Sequence, residues 1–228
     1  MDHVITVKSL QVLAAQKVCG MIADGKLKIG QRLKEADLCR SLGISRTPVR
    51  DALKTLQSEG IVEIIPNKGA FVAEPDLKEI KDMFEMMSLL EGYSAGIVAR
   101  EKLTEENLET LEEMHRDLKS SYQQNNLEKC SEINISFHKY LAELSNNKHL
   151  SEMILKLQYK NYIYRSCHLY WHNRLDKSLK EHEALMRAFR QKDYLEAEIA
   201  MRTHLLNQYE EIARHDSDFK KDLKEAHE

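Results

Sequence analysis

The 228-residue sequence predicts a mainly α protein in two differently built parts: a small head of three helices with a β-hairpin, then an all-α antiparallel bundle. Three observations predict it. Only 8 glycines and 3 prolines leave little material for the tight turns of an all-β fold or a doubly wound sheet. The prolines, Pro48, Pro66 and Pro75, fall in one stretch, and residues 76–228 contain none. Charge divides at the same place. Residues 1–73 carry 11 lysines and arginines against 7 acidic residues, whereas residues 74–228 carry 23 against 30. The pI near 6.4 therefore conceals a basic head, a candidate for contact with phosphates, on an acidic body.

Other classes are excluded by composition. With 42% hydrophobic and 31% charged residues the chain is globular. No apolar run approaches the roughly 20 residues that span a bilayer, so no membrane partner is expected. The opening MDHVITVKSL lacks the features of a secretory signal, which predicts a cytoplasmic protein. Cys19, Cys39, Cys130 and Cys167 form no Cys-x-x-Cys pair, so they read as reduced, buried small residues.

In chain order, Val7, Leu10, Leu13, Ala14, Val18, Met21 and Ile22 recur at helical spacing and predict a first helix over Val4–Asp24, ended by Gly25. A short helix over Lys34–Ser41 follows, then a Leu42-Gly43-Ile44 turn and a third helix from Arg46 to Glu59. Ser45 or Thr47 is expected to cap the third helix, and Pro48 is tolerated in its first turn. Val49, Ala52, Leu53 and Leu56 form its buried stripe, with Arg46 and Arg50 on the exposed flank. Two arginines alone are ordinary solvated surface. Here Ile61–Ile65, Pro66-Asn67-Lys68-Gly69 and Ala70–Ala73 follow as strand, turn and strand, a wing carrying Lys68 at its tip. The head is a winged helix-turn-helix, whose third helix could present guanidinium forks to guanine edges in the major groove.

The run from Gly30-Gln31-Arg32-Leu33 through Ser45-Arg46-Thr47-Pro48-Val49-Arg50 to Pro66-Asn67-Lys68-Gly69-Ala70-Phe71-Val72 resembles the DNA-binding domain of the GntR family of bacterial transcription regulators. The resemblance implies principal base and phosphate contacts from Arg46 and Arg50, support on the backbone from Ser45 and Thr47, and wing contacts from Lys68 and Gly69. Arg32, inside the matched run, joins this DNA-binding set. Asp51 replaces the more usual glutamate. Ala36 stands where some members place an arginine, so that contact is missing.

Beyond the joint at residues 74–76, helices are predicted over Leu77–Glu101, Thr104–Tyr122, Leu127–Leu144, Leu150–Trp171, Arg174–Gln191 and Tyr194–His215, with Thr104 as a cap and Asn146, Asn147 and Asn173 as breaks. The expected division is a DNA-binding head over residues 1–73 and an effector-binding and dimerisation domain over 77–228. His182 falls within the apolar stripe of its helix, and His138 and His204 border the stripes of theirs. Each alone reads as a hydrogen-bonded structural histidine. Together, on three helices, they could equally hold one divalent metal.

Asn134-x-x-Phe137-His138, Glu181-His182, Asp193 with Ala197, and His204-Leu205 resemble the FCD ligand-binding domain of the FadR-like subgroup. The resemblance implies a zinc or nickel ion on the three histidines with an aspartate one turn before the first. Asn134 stands there instead, a neutral and weaker ligand. The subgroup commonly has an arginine where this chain has Met87. On the aromatic helix, Tyr162, Arg165 and His168 are candidate contacts for an organic-acid effector, or else core aromatics with a solvated arginine.

The leading function is a homodimeric, sequence-specific regulator that reads a near-palindromic double-stranded DNA operator under control of a small carboxylate, the metal being a possible cofactor. A metal-dependent enzyme on the histidine site is the alternative, and a helical interaction protein a third. Neither explains the basic winged head.

Overall fold

The computed structural model describes residues 10–23, 25–74, 77–165 and 172–214, apart from the side chains of residues 23, 159, 162–165, 172 and 173. The described residues group into two compact units, 10–74 with 162–165, and 77–161 with 172–214.

The first unit contains α1 (Leu10–Ala23), β1 (Arg32–Leu33), α2 (Glu35–Leu42), α3 (Arg46–Ser58), β2 (Val62–Ile65) and β3 (Gly69–Val72). Residues 4–9 and 24 of the expected first helix lie outside the described residues. On α3, Val49, Ala52, Leu53 and Leu56 are at most 3% exposed, the i, i+3, i+4, i+7 stripe the sequence predicts. This stripe turns α3 toward α1, whose Ala14, Val18 and Ile22 are equally buried. Burying one such leucine contributes about 1.5–3 kcal/mol. Gln11 Nε2 ties the two helices by donating to Thr55 Oγ1 at 2.8 Å. Between α2 and α3, Gly43 takes φ 68°, and its N–H donates to the Cys39 carbonyl to end α2.

The cap of α3 departs from expectation. Ser45 has the extended backbone of a cap residue, yet its hydroxyl makes no capping hydrogen bond, and Thr47 already lies inside the helix. A capping oxygen accepts from the second or third helical amide, and the third here is Pro48, which has none.

A further difference is β1. The sheet has the order β1-β3-β2, antiparallel throughout, with Arg32 opposite Phe71 and Ile65 opposite Gly69. Two residues are too few to show a period, so the sequence reads Arg32 as loop. Pairing with β3 instead fixes its place next to the wing.

The second unit contains α4 (Leu77–Ile97), a π-helical turn (Val98–Lys102), α5 (Glu105–Gln123), α6 (Leu127–Leu144), α7 (Lys148–Arg165), α8 (His172–Gln191) and α9 (Tyr194–Arg214). The π turn replaces the regular helix expected to Glu101. Residue 173 lies within α8 rather than breaking the chain, while residues 166–171 and 215 of the expected helices lie outside the described residues. α9 packs against α4 and α8, and α5 against α6 and α8. Phe84, Phe137 and Phe189 are at most 1% exposed and fill the interior. No helix among the described residues is long and apolar enough to cross a membrane.

Side-chain caps set several helix starts. Thr104 Oγ1 accepts from the Asn107 amide at 3.1 Å, Asn126 Oδ1 from Lys129, and Asn147 Oδ1 from Leu150. Replacing Thr104 with alanine is expected to destabilise the bundle by about 1 kcal/mol, read as a lower urea midpoint at unchanged slope.

Candidate functional site

In the head, Arg32, Arg46, Arg50 and Gly69 line one groove of about 510 Å³, together with Lys34 and Lys54. α3 presents Arg46 and Arg50 because its opposite face is the buried stripe, and β1 brings Arg32 against β3. Gly69 has φ 105°, a backbone conformation that favours glycine, and the Arg32 guanidinium packs beside it at ordinary contact distance. Ser45, Thr47 and Lys68 are exposed but are not among the residues that line the groove. Asn67 takes φ 63° in the Pro66-Asn67 turn, as a type II turn requires, and so leaves Lys68 at the tip. Ala36 also lines the groove and contributes only a methyl.

Glu35 was not anticipated. Arg50 Nε donates to both Glu35 oxygens at 2.8 Å, and this raises the guanidinium pKa above its ordinary value. Such a surface pair orients more than it stabilises. Fifteen residues and a turn separate the partners, so no local pattern in the sequence announces them.

The second constellation is inside the helical unit. His138 on α6, His182 on α8 and His204 on α9 are 5%, 1% and 2% exposed, and each offers a ring nitrogen within 4.8 Å of the others. Ring centroids lie 4.8 to 5.5 Å apart. His138 Nδ1 donates to Glu91 Oε2 at 2.6 Å, and Gln158 donates to the other oxygen of Glu91. His204 Nδ1 donates to Glu181 Oε2 at 2.7 Å. A carboxylate only accepts, so the proton sits on Nδ1 and the Nε2 lone pair is left for another partner. His138 Nε2 and both nitrogens of His182 are buried with no hydrogen-bond partner, while Gln208 Nε2 lies 3.2 Å from His204 Nε2 and donates to it.

Burial first, then His204, His138, His115 and Arg174, push the His182 imidazole well below its ordinary range, so it stays neutral with a lone pair to give. Three imidazoles, the central one held neutral by its surroundings and the outer two oriented by carboxylates, are the donor set a divalent metal takes. The residues fit such an ion. Zinc bonds of about 2.0–2.1 Å would draw the nitrogens in to about 3.4 Å from one another and replace the Gln208 amide. Asn134, 4% exposed on α6, lies one turn before His138 and offers at most a neutral oxygen. Met87 is core, 2% exposed, so no cation approaches from that position of α4.

Of the expected effector residues, His168 lies outside the described residues, as do the side chains of Tyr162 and Arg165. Two residues missed by sequence reasoning stand beside the histidines. His115 on α5 is buried with its ring 6.3 Å from His182, and the half-buried Arg174 on α8 bonds both Glu181 and the His204 carbonyl. The one available signal was their position on inward helical faces.

Comparisons with known proteins give two matches along the chain. Residues 10–72 match the family described as bacterial regulatory proteins, gntR family, and residues 82–207 match the FCD domain. The chain is 30% identical over 157 residues to the transcriptional regulator McbR of Escherichia coli, covering 69% of each. It is 29% identical over 210 residues to the regulator LutR of Bacillus subtilis, covering 82% of this chain and 94% of that one. Among solved structures, E. coli McbR/YncC superposes with a TM-score of 0.75 at 23% identity, over 92% of this chain and 99% of the other. A putative GntR regulator from Rhodococcus gives 0.74, also at 23% identity, over 89% and 97%. These superpositions show the shared fold. The matched families and relatives are transcription regulators, so the alternative of a metal-dependent enzyme on the histidine site does not hold.

Proposed function

Because the chain belongs to the GntR family of bacterial transcription regulators and carries their FCD domain, we propose that it acts in the cytoplasm as a homodimer that reads a near-palindromic operator and responds to a small carboxylate. The observation that carries this reading is the groove lined together by Arg32, Arg46, Arg50 and the wing glycine Gly69. Arg46 and Arg50 reach base edges and phosphates, Arg32, Lys68 and the Gly69 backbone engage from the wing, and Ser45 and Thr47 hold the DNA backbone. Two-fold operator symmetry requires two heads. A second copy would dock on the helical unit, where the neighbouring helices α4 and α9 expose Met86, Leu89 and Tyr93 and Leu195 and Ile199.

His138, His182 and His204, with Asn134 beside them, would hold a zinc or nickel ion. Such an ion, when bound, supplies a positive charge and an open position for an effector oxygen. Glu91 and Glu181 orient the outer two imidazoles from the far side of their rings. Tyr162, Arg165 and His168 are the proposed effector contacts of the aromatic segment. Effector binding then shifts the heads between two arrangements, a coupling of about 1–3 kcal/mol in systems of this kind.

Gel-shift or anisotropy titration against the DNA upstream of the chain's own gene tests the reading. Affinity is expected to fall steeply with salt, about 0.9 in log K per log salt for each phosphate neutralised. Binding that ignores both salt and sequence would refute it.

A further inference from the structure

Seven buried side-chain polar atoms among the described residues have no hydrogen-bond partner, and all lie in the helical unit: on His115, His138, His182, Asn161 and Arg174. A metal accounts for the imidazoles that face it. It does not account for Arg174, whose Nε and Nη1 are both buried and unpartnered.

Arg174 is held in place on one side only. Its side chain is 11% exposed, and Nη2 donates to Glu181 Oε2 at 2.7 Å and to the His204 carbonyl at 3.1 Å. That carboxylate is already divided, because His204 Nδ1 shares Oε2 and Asn207 donates to Oε1 at 2.8 Å. A guanidinium cannot shed its proton to escape burial, and its three remaining N–H groups are donors only. The missing partner must therefore be rich in acceptors and negatively charged. Water supplies two lone pairs and no charge, whereas a carboxylate supplies both oxygens and the charge. Position supports the same occupant. Arg174 sits in the first turn of α8, where the helix field favours an anion, and it touches the backbone of the third clustered histidine.

We propose that Arg174 anchors a carboxylate of the effector beside the histidine cluster. This deepens the effector reading given above and rests on it. The anchor lies on α8, in a different helix from Arg165, and an effector with one carboxylate on Arg174 can direct a second oxygen at the metal position.

The test uses the full chain, zinc-loaded and metal-free, titrated calorimetrically with succinate, citrate and inorganic phosphate. At least one carboxylate should bind saturably, and Arg174→Met should weaken it tenfold or more at equal zinc loading, with Arg174→Lys between the two and zinc content measured for each variant. The Nε–H resonance of Arg174, identified by its absence in Arg174→Lys, should move on saturation of the wild type, a readout that needs no variant to be active. The proposal is overturned if no carboxylate binds, if phosphate binds and carboxylates do not, if Arg174→Met binds as tightly as wild type, or if the resonance stays still. It is also overturned if binding fails only together with zinc loss. Should carboxylate bind through Arg174 yet leave operator affinity unchanged, the anchor stands and the effector reading falls.

Discussion

Replacing both Arg46 and Arg50 with alanine is expected to remove sequence-selective DNA binding while the head stays folded. Both side chains are exposed on α3, opposite the stripe that holds the helix to α1, so neither carries packing whose loss would unfold the unit. An arginine that bonds a guanine edge contributes about 1–3 kcal/mol of discrimination. The pair together should lower specific affinity by roughly 30- to 20,000-fold, and one that also contacts phosphate should reduce the salt slope by about 1. Titrations at several salt concentrations, with thermal unfolding as the control, separate these contributions. Unchanged affinity in the double variant would place DNA recognition elsewhere. Glu35 sharpens the result, because it grips Arg50 at Nε and leaves the two terminal nitrogens of the fork to the groove. Freed by Glu35→Ala, Arg50 keeps its charge and loses its aim, so discrimination between operator and random DNA should fall more than total affinity does.

His182→Ala is expected to abolish tight metal binding. His182 is the most central of the three imidazoles, 1% exposed, and its neutrality makes it a ligand at ordinary pH without proton release. Removing one of three strong ligands leaves two imidazoles and an amide, too few for a stable zinc shell. Zinc content after dialysis should drop from near one ion per chain toward none, and the stabilising effect of added zinc on thermal unfolding should vanish. Glu91→Gln is expected to act more gently, weakening metal affinity roughly 10- to 100-fold, because an amide there still accepts from His138 but polarises it less. A wild-type protein that takes up no zinc and gains no stability from it would make the cluster purely structural. Stripping the ion from wild type with a chelator should lower the melting temperature of the helical unit, since an ion that binds only the folded state stabilises it by mass action.

Much of this molecule is readable without coordinates. The stripe Val49, Ala52, Leu53, Leu56 orients α3, and orienting α3 necessarily exposes Arg46 and Arg50, because a helix that buries one face presents the other. The inward placement of His138, His182 and His204 follows from the same periodicity. Such patterns are local: they repeat within a few residues and need only the geometry of a helix to be decoded. What the tertiary structure alone decided lies between elements far apart in the chain. Arg32 joins the groove through a two-residue strand whose partner is 39 positions away, Glu35 meets Arg50 across a turn, and Arg174 on α8 reaches the His204 carbonyl on α9 while its Nε and Nη1 find nothing. Hydrogen bonds to distant partners, and the lack of them, depend on where packing sets whole helices and strands down, and no period in the sequence encodes that.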